Sequence, residues 1–331
     1  MNDEQAELEF EDTLSTNANE CPSQGIYRDV PFATYADWKA INSGVVKWGD
    51  RVSLKHMHAA LNGLLPNEDT LSRKFGRAVH SRLLEPETFA DRVLVSQPCC
   101  AILKSGDRKN LPCGKTASVL TVPSSFSGGP SWFCGTHKPD GAIAPDEFVT
   151  PAELERIEAM AAGLHNHPLM SLLRAKGWSE TSVVFNWGEL RCKGRLDRYS
   201  KDARFVVDIK KMRLGYGSME ECRKAIEKYQ YLAQACIYWK AIEVLEGFRP
   251  RMIWLFIEEQ FPFDIQFVEA DEWELEHAWQ RVAAVLAGYQ KCVESGVFPG
   301  YVKVDENNQI ISNHLGAFSP WMAQKIQRGE A

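Results

Sequence analysis

The sequence predicts an α/β sandwich in which one mixed sheet is flanked by helices, with an irregular insertion ahead of the sheet. Three observations support this fold class. First, apolar residues recur at helical spacing both before the insertion and after it. Second, they alternate with polar residues in several segments between positions 181 and 268. Third, positions 97–145 show neither period. The chain has 331 residues, 44% of them hydrophobic, which is enough for a substantial core.

The elements ahead of the insertion are predicted to be mainly helical. Residues 35–48 mix aromatic and aliphatic side chains at helical spacing. A second helix is predicted over residues 71–84 and is closed by Pro86. Its apolar side chains return every fourth position, at Leu71, Phe75, Val79 and Leu83. A short strand is predicted at residues 92–95.

The elements after the insertion supply the sheet. Helical spacing resumes after Pro151, and period-two alternation then predicts strands at 181–190, 191–199 and 204–210. A helix over 219–242, strands over 252–258 and 263–268, and a long helix over 272–294 complete the chain. This order of helices, strands, helix, strands and helix is typical of one mixed sheet between helices.

The net charge of −6 belongs to the N-terminus. Residues 1–22 carry seven acidic side chains and no lysine or arginine, whereas the remaining positions carry 38 basic and 37 acidic side chains. Residues 1–25 are therefore interpreted as an acidic disordered tail, and residues 26–331 as one domain. The net charge consequently does not exclude nucleic-acid binding by that domain.

Two further patterns favour a cytoplasmic protein. No apolar run reaches the roughly 18–20 residues that a membrane span needs, and the acidic N-terminus differs from the basic start of a secretion signal. Nine cysteines, an odd number, argue against a disulfide framework. We therefore expect reduced thiols and no membrane partner.

Two aspartates and a lysine are placed to form a metal site. Asp197 lies near the end of one predicted strand and Asp208 near the end of the next, so a hairpin of this length can bring both carboxylates to one edge of the sheet. Lys210 lies two positions beyond Asp208 and shares its face of the strand. Two carboxylates beside an ammonium suit Mg²⁺ or Mn²⁺ and phosphodiester hydrolysis. Taken alone, the motif also fits a solvated strand edge.

Two motifs on predicted helices accompany this set. Gln234 and Tyr238 are four positions apart and so share a helix face. His80 follows Gly76 by four positions, and a glycine one turn away permits a close approach of backbone or ligand. Each motif by itself also fits a structural role, as a polar helix face or as a histidine at a helix end.

Together these motifs resemble the PD-(D/E)xK nuclease superfamily and, within it, the RecB-like and RecE-type phage exonucleases. The shared pattern is G-x-x-x-H on a helix, followed in order by G-x-x-D, D-x-K and Q-x-x-x-Y, and it spans most of the chain. The resemblance implies a restriction-endonuclease-like sandwich. It also implies an Mg²⁺ or Mn²⁺ site formed by the side chains of His80, Asp197 and Asp208 with the carbonyl of Ile209.

The resemblance further implies roles for the residues around that metal. Lys210 is expected to act on the attacking water, while Gln234 and Tyr238 shape the site and contact the DNA backbone. One position departs from the pattern, because Lys211 stands where the superfamily often has threonine. Nine basic residues against three acidic ones within 191–213 indicate a DNA-binding segment. The expected DNA contacts are Lys193, Arg195, Arg198, Lys211 and Arg213.

A cysteine-rich motif predicts a second metal site within residues 97–145. This segment lacks a core-forming period, so a bound metal would explain how it folds. Three thiolates and an imidazole suit tetrahedral Zn²⁺, and the predicted ligands are Cys100, Cys113, Cys134 and His137. Cys99 is an alternative first ligand. Free thiols in a flexible loop and a four-cysteine iron–sulfur cluster are alternatives to zinc.

The resemblance therefore implies a metal-dependent deoxyribonuclease, in particular a 5′-to-3′ double-strand DNA exonuclease of a phage or prophage recombination system, working in the cytoplasm of the bacterial host. A single-strand annealing recombination protein is an expected partner, and a homo-oligomer is left open. Two alternatives remain: a structure-specific or nicking endonuclease on the same fold, and a zinc-containing DNA-binding or scaffold protein whose nuclease site is idle.

Overall fold

The computed structural model describes residues 21–66, 70–122, 130–145 and 147–301. Residues 1–20, most of the predicted acidic tail, lie outside this range, as do residues 302–331 of the predicted domain. The described range begins at Cys21, within the segment predicted as tail. Arg191 donates hydrogen bonds to the carbonyl oxygens of Cys21 and Pro22 at 3.0 and 2.8 Å, which attaches this segment to the domain.

A six-stranded mixed sheet forms the centre of the molecule. The strands of the described residues are β1 (Gly25–Tyr27), β2 (Leu94–Val95), β3 (Val119–Thr121), β4 (Ser131–Phe133), β5 (Phe148–Val149), β6 (Trp178–Trp187), β7 (Leu190–Ser200), β8 (Phe205–Met212), β9 (Arg251–Glu258) and β10 (Ile265–Glu269). The central sheet has the order β1-β6-β7-β8-β9-β10. Only β8 and β9 pair in parallel within it, so the sheet is mixed, as the sequence predicted.

Helices pack on both sides of this sheet. They are α1 (Phe32–Asp37), α2 (Ser43–Arg51), α3 (Leu54–Leu61), α4 (Leu71–Leu84), α5 (Phe89–Arg92), α6 (Pro151–His165), α7 (Met170–Arg174), α8 (Met219–Lys228), α9 (Tyr231–Glu246) and α10 (Glu272–Ser295). The predicted helix over 71–84 has the bounds of α4. Within the described ranges, no helix combines the length and apolar character that crossing a bilayer requires.

The predicted helix over residues 219–242 is in fact two helices. α8 ends at Lys228 and α9 begins at Tyr231, because Gln230 adopts a φ of +53°, outside the helical region. Helix α2 holds the break: Lys47 Nζ donates to the Tyr229 carbonyl and Asp50 accepts from Gln230 Nε2, both at 2.7 Å. Local periodicity does not reveal this break, since the residues that stabilise it, Lys47 and Asp50, lie in a distant part of the chain.

Alternation along β8 and β9 divides the core into two layers. Val206, Met252, Trp254 and Phe256 face the layer built around α9 and α10, whose buried residues include Trp239 and Trp279. The intervening residues Val207, Ile209, Ile253 and Leu255 face α4 and α6. Both faces of β8 are therefore covered by apolar side chains, which fixes the position of the residues at its end.

The insertion leaves the domain after β2 and returns at β5, and these two strands pair in parallel. Its described residues contain one further two-stranded sheet, β3 with β4. A small buried cluster supports that sheet, and its members are Ala117, Leu120, Trp132 and Phe148. This is little apolar burial for a segment of this length, as the missing period of residues 97–145 predicted.

Candidate active site

The two predicted carboxylates meet where β7 and β8 separate. The ladder between these strands ends at the pair Arg198–Val207. Beyond it, Asp197 Oδ2 accepts a hydrogen bond from the Ile209 amide at 2.7 Å, so a side chain replaces the backbone partner. Both aspartates are buried, and Asp208 is 2% exposed. The splayed strands thus leave two carboxylates inside the fold at one position.

Helix α4 adds a histidine to these carboxylates. His80 Nε2 lies 3.0 Å from the Ile209 carbonyl oxygen, and its Nδ1 lies 3.5 Å from Asp197 Oδ2. The threonine cap at Thr70 fixes the start of α4, since its hydroxyl accepts from the Arg73 amide. His80, Asp197 and the Ile209 carbonyl thus lie together, and Asp208 lies beside Lys210.

Glu180 joins this cluster although it is absent from the predicted ligand set. Its Oε1 lies 4.0 Å from His80 Nδ1, and its Oε2 accepts from Arg195 Nε at 2.6 Å. His80, Glu180 and Asp197 can offer three ligand atoms to one cation. Glu180 has a φ of +47°, a strained conformation for a non-glycine residue. An acidic residue in a strand gives no sign of such strain in sequence.

Burial and mutual repulsion control the charges in the site. Burial raises the pKa of Asp197 to about 7, and the charge of Asp208 adds to this effect against the opposing charge of His80. Burial acts to lower the pKa of Lys210, but the adjacent Asp208 and Asp197 outweigh it and raise that pKa above its ordinary value. Lys210 therefore remains an ammonium group, 2.5 Å from Asp208 Oδ2.

The arrangement fits a divalent cation. Asp208 Oδ1 is buried without a hydrogen-bond partner among the described residues, and leaving such an atom unsatisfied is costly. The carboxylates of Glu180 and Asp197 and the imidazole of His80 offer ligand atoms within 4.8 Å of one another, and oxygen-rich sets of this kind suit Mg²⁺ or Mn²⁺. A cation there would satisfy the unpaired oxygen and relieve the repulsion that raises the pKa of Asp197.

A polar chain continues from Lys210 onto α9. Lys210 Nζ donates to Gln234 Oε1 at 3.2 Å, and Gln234 Nε2 donates to the Tyr238 hydroxyl at 2.7 Å. Gly194 on β7 makes room for this chain, because a Cβ there would lie 2.8 Å from the Tyr238 ring. The helix face predicted from the spacing of Gln234 and Tyr238 thus faces the site and not solvent.

Three of the five predicted DNA contacts bind groups within the fold. Lys193 is 3% exposed, and its ammonium donates to the carbonyl oxygens of residues 35, 36 and 38 at 2.6, 3.1 and 2.7 Å. Arg195 pairs with Glu180. Arg198 donates to the Ala175 carbonyl. Their side chains hold partners within the fold, yet Lys193 and Arg195 also line the cavity described below, so DNA contact by these residues stays a prediction.

The remaining two predicted contacts differ from each other. Lys211 is half-buried and donates to Ser72 Oγ at 3.0 Å and to Glu259 at 3.2 Å, so it ties β8 to α4. Arg213 is exposed at the end of β8, outside the residues that line the site cavity. Most basic side chains of residues 191–213 thus interact with groups of the protein itself.

Other arginines stand where the sequence analysis did not place them. A cavity of about 550 Å³ opens onto His80 and Asp197, and Arg73, Arg77 and Arg92 line it. Arg73 and Arg77 are one turn apart on the helix that carries His80, and that spacing is a signal that could have identified them. Glu85 and Glu147 line the same cavity and pair with Arg92 and Arg77, so the wall carries both charges.

The insertion gathers four potential ligands of a second metal. The ligand atoms of Cys99, Cys113, Cys134 and His137 all lie within 4.8 Å of one another. Cys99 is buried whereas Cys100 is exposed, so the structure selects the alternative first ligand over the predicted Cys100. Burial acts to raise the pKa of Cys134, but backbone amides of residues 137 and 136 outweigh it and lower that pKa to about 6. We call these four residues the Cys/His cluster.

A mixed sheet that carries Asp197, Asp208 and Lys210 where its central strands β7 and β8 separate, beside a helix bearing His80, is the arrangement of a nuclease of the PD-(D/E)xK class. The chain belongs to the family described as PDDEXK-like domain of unknown function (DUF3799), which matches residues 42–308. The superfamily predicted from the motifs is thereby confirmed, and the coarse function that follows is that of a nuclease-type hydrolase.

Solved structures support the same fold. A protein from Eubacterium rectale, described provisionally as an exonuclease, superposes with a TM-score of 0.54 at 12% identity, over 86% of this chain and 94% of that chain. At this identity the likeness concerns the fold alone. The structure of SSO0001 matches with a TM-score of 0.23 at 18% identity, over 46% of this chain and 80% of that chain, too weak to support an argument. No curated protein matches the sequence.

Proposed function

We propose that this protein is a Mg²⁺- or Mn²⁺-dependent deoxyribonuclease that degrades linear double-stranded DNA from its 5′ ends. The observation that carries the proposal is the buried Asp208 Oδ1, which has no hydrogen-bond partner among the described residues, on the carboxylate whose other oxygen pairs with Lys210. The ion pair with Lys210 therefore leaves this oxygen unsatisfied inside the fold. A site with one vacant coordinating oxygen is suited to a cation and its substrate.

The residues of the chain have distinct roles in this proposal. Asp197, Asp208, His80 and the Ile209 carbonyl would hold the cation, which supplies Lewis-acid neutralisation of the phosphate charge. Lys210 remains protonated and so acts as a donor, orienting the attacking water and stabilising negative charge at the phosphorus. A bond forms from the water oxygen to phosphorus and the bond from phosphorus to the 3′ oxygen breaks. The water releases a proton to solvent and the 3′ oxygen takes one up, so the protons balance.

The wall of the cavity supplies the contacts to the DNA backbone. Arg73 and Arg77 project from α4 toward the cavity, and Arg92 lies at its rim. Guanidinium groups pair with phosphate in a planar, two-bond geometry. Gln234 holds the Lys210 ammonium in position, and Tyr238 in turn holds Gln234. We therefore assign backbone binding to these arginines, and positioning of Lys210 to Gln234 and Tyr238.

The polarity and the biological setting follow from the resemblance to phage exonucleases. Removal of nucleotides from 5′ ends leaves 3′ single-stranded overhangs. Such overhangs are the substrate of a single-strand annealing protein, so a phage or prophage recombination system would provide that partner. A homo-oligomer that encircles or tracks the duplex is compatible with this role.

Digestion of DNA with defined ends tests the proposal. Linear duplex labelled at either the 5′ or the 3′ end and covalently closed circular duplex are incubated with the protein, with and without Mg²⁺. We expect release of the 5′ label first, no cutting of the circle and no reaction without the metal. Cutting of the closed circle would establish an endonuclease, and no degradation in either metal would leave a DNA-binding or scaffold protein.

A pair of aspartate variants provides the control for this digestion. Asp208→Asn removes a metal ligand and is expected to lower the rate at least about a hundredfold. Asp202→Asn changes an exposed carboxylate in the turn between β7 and β8 and is expected to leave the rate unchanged. Equal loss of activity in both variants would contradict the assignment of Asp208.

We further propose that the Cys/His cluster holds a structural Zn²⁺. Three thiolates and one imidazole form a common tetrahedral zinc set, in which neighbouring ligand atoms are about 3.8 Å apart. The sulfur atoms of Cys99 and Cys134 lie 3.6 and 3.4 Å from His137 Nδ1. The single imidazole and the absence of Cys100 from the cluster favour zinc over a four-cysteine iron–sulfur cluster.

Neighbouring cysteines allow a matched test of the zinc site. Metal analysis of the purified protein is expected to give one zinc per chain. Cys99→Ser is expected to lose the metal, whereas Cys100→Ser, one position away and exposed, is expected to keep it. Iron with absorbance in the visible range would indicate the iron–sulfur alternative, and zinc retained by Cys99→Ser would contradict the ligand set.

A further inference from the structure

Residues 99–113 form a hairpin that rises from the Cys/His cluster, and we call this hairpin the finger. Its two arms are joined by hydrogen bonds from the Leu103 amide to the Leu111 carbonyl at 3.0 Å, and from the Asn110 amide to the Leu103 carbonyl at 2.8 Å. Both arms begin at cluster residues, Cys99 and Cys113. Gly106, with a φ of +79°, makes the turn. The Cys/His cluster therefore fixes the base of the finger and so the direction of its tip.

The tip of the finger is positively charged and open to solvent. Lys104, Arg108 and Lys109 lie within six positions against a single acidic residue, Asp107, and all four are exposed. Arg108 also donates to the Pro112 carbonyl at 2.9 Å, which stiffens the tip. These cations differ from Lys193, Arg195 and Arg198, whose charges are satisfied inside the fold.

The finger is attached at the wall of the active-site cavity. Arg92 precedes β2, Glu147 precedes β5, and both line the cavity. The end of the insertion is tied to α4, because Lys74 Nζ donates to the Pro145 carbonyl at 3.0 Å and Arg77 pairs with Glu147 at 3.7 Å. DNA that enters the cavity thus approaches the protein on the side from which the insertion emerges.

We propose that the finger binds the phosphate backbone of the substrate duplex, outside the nucleotide that is cut. This inference rests on the proposed function, since it assumes a DNA substrate. Fixed cations on a stiff hairpin suit a regular row of phosphates, because little conformational freedom is lost on binding. Residues 102–112 contain no aromatic side chain, and stacking on aromatic residues is the usual means of holding single-stranded DNA. The finger therefore fits a double-stranded ligand.

Salt-dependent binding tests the finger. The full-length Asp208→Asn protein, in which digestion is expected to be at least about a hundredfold slower, is titrated without Mg²⁺ with a fluorescent duplex over about 50 to 200 mM salt. A triple variant, Lys104→Ala with Arg108→Ala and Lys109→Ala, is expected to bind at least about tenfold more weakly. Its logarithmic salt slope is expected to fall by about 2 to 3, because each lost phosphate contact removes about 0.9.

A second triple variant is the matched control. Lys201→Ala, Lys224→Ala and Lys291→Ala remove the same charge from the β7–β8 turn, α8 and α10, none of which lines the cavity. This control is expected to bind duplex nearly as the parent does. Zinc content is measured for every variant. If the finger triple variant loses zinc, Lys104→Gln with Lys109→Gln replaces it, because that pair keeps the hydrogen bond of Arg108.

The outcomes separate this inference from the proposed function. Equal affinity and slope in the finger variant and the control would overturn the role of the finger, even where the unaltered protein digests linear duplex. Loss of binding to single-stranded DNA alone would also overturn it, as would a finger that captures a protein and leaves DNA binding unchanged. Finger-dependent duplex binding by a protein that never cuts would support the finger and refute the nuclease proposal.

Discussion

The central sheet and the insertion hold their polar clusters in opposite ways. Around the sheet, buried apolar layers on both faces of β8 fix the position of the strand that carries Asp208. In the described part of the insertion, an apolar cluster of four residues lies beside the Cys/His cluster, which gathers four more side chains. In the first region the fold positions the metal ligands, and in the second a metal would position the fold.

This difference shows that the loss of one metal ligand would have a different effect in each region. Removing a ligand at the sheet affects chemistry more than stability, because repulsion between the two buried aspartates is then relieved. Removing a ligand from the insertion affects folding, because little else holds that segment together. The following predictions separate the two regions by these consequences.

The largest expected effect is the unfolding of the insertion when its proposed zinc is removed. A strong zinc chelator is expected to make residues 97–145 at least about tenfold more sensitive to limited proteolysis, since locally unfolded backbone becomes accessible. The central sheet is expected to keep its cooperative thermal unfolding. Cleavage sites are mapped by mass spectrometry. An unchanged cleavage pattern after the metal is lost would show that the insertion folds without it.

The next effect concerns a cation that the sheet uses internally. Lys193→Met removes a buried ammonium and leaves three carbonyl oxygens without their donor, so the free energy of unfolding is expected to fall by about 3 kcal/mol. Urea denaturation measures this loss. Arg213→Ala, on the same sheet but exposed, is expected to change stability by less than about 0.5 kcal/mol. A stable Lys193→Met protein with weak DNA binding would support Lys193 as a DNA contact.

A smaller effect is expected from crowding at the site. Gly194→Ala places a Cβ 2.8 Å from the Tyr238 ring and 3.2 Å from Val183, so stability is expected to fall by about 1 to 3 kcal/mol. The displaced Tyr238 would also loosen Gln234, and the rate of digestion is expected to fall with it. Gly135→Ala in the insertion meets no atom within 4 Å and serves as the control. Urea denaturation measures the stability of both variants, and digestion kinetics measure their rates. Equal stability and equal rates in the two variants would contradict this prediction.

The smallest effect is a pH dependence of metal binding at the sheet. The pKa of Asp197 is raised to about 7 from 3.8, so the stability that its proton gives the metal-free fold is present below 3.8 and is lost as the pH rises through about 7. A cation competes with this proton and is expected to stabilise the protein more at about pH 8 than at about pH 6. Thermal unfolding with and without Mg²⁺ measures the difference. An equal shift at both pH values would contradict the raised pKa.

The sequence predicts the catalytic set better than its surroundings. Asp197, Asp208 and Lys210 are found from strand alternation, and His80, Gln234 and Tyr238 from helical spacing, because these periods are local properties of the chain. Glu180 was not among the predicted ligands, because its position depends on a strained φ that the sequence does not reveal. Arg73 and Arg77 on α4 were not predicted as site residues, because the cavity that they line is formed by elements far apart in the sequence.

The sequence by itself determined the class of fold, the order of its elements, and the motifs that place the chain among PD-(D/E)xK nucleases. Only the tertiary structure decided which partners the cations of the chain take. The basic residues of β7 made this strand resemble a DNA-binding segment in sequence. In the fold, Lys193 donates to the Trp38 carbonyl, and Arg195 donates to the Val30 carbonyl and pairs with Glu180. Tertiary packing likewise chose Cys99 over Cys100. The physical reason is that the burial of a charge or a thiol depends on neighbours brought together by folding, which local spacing does not encode.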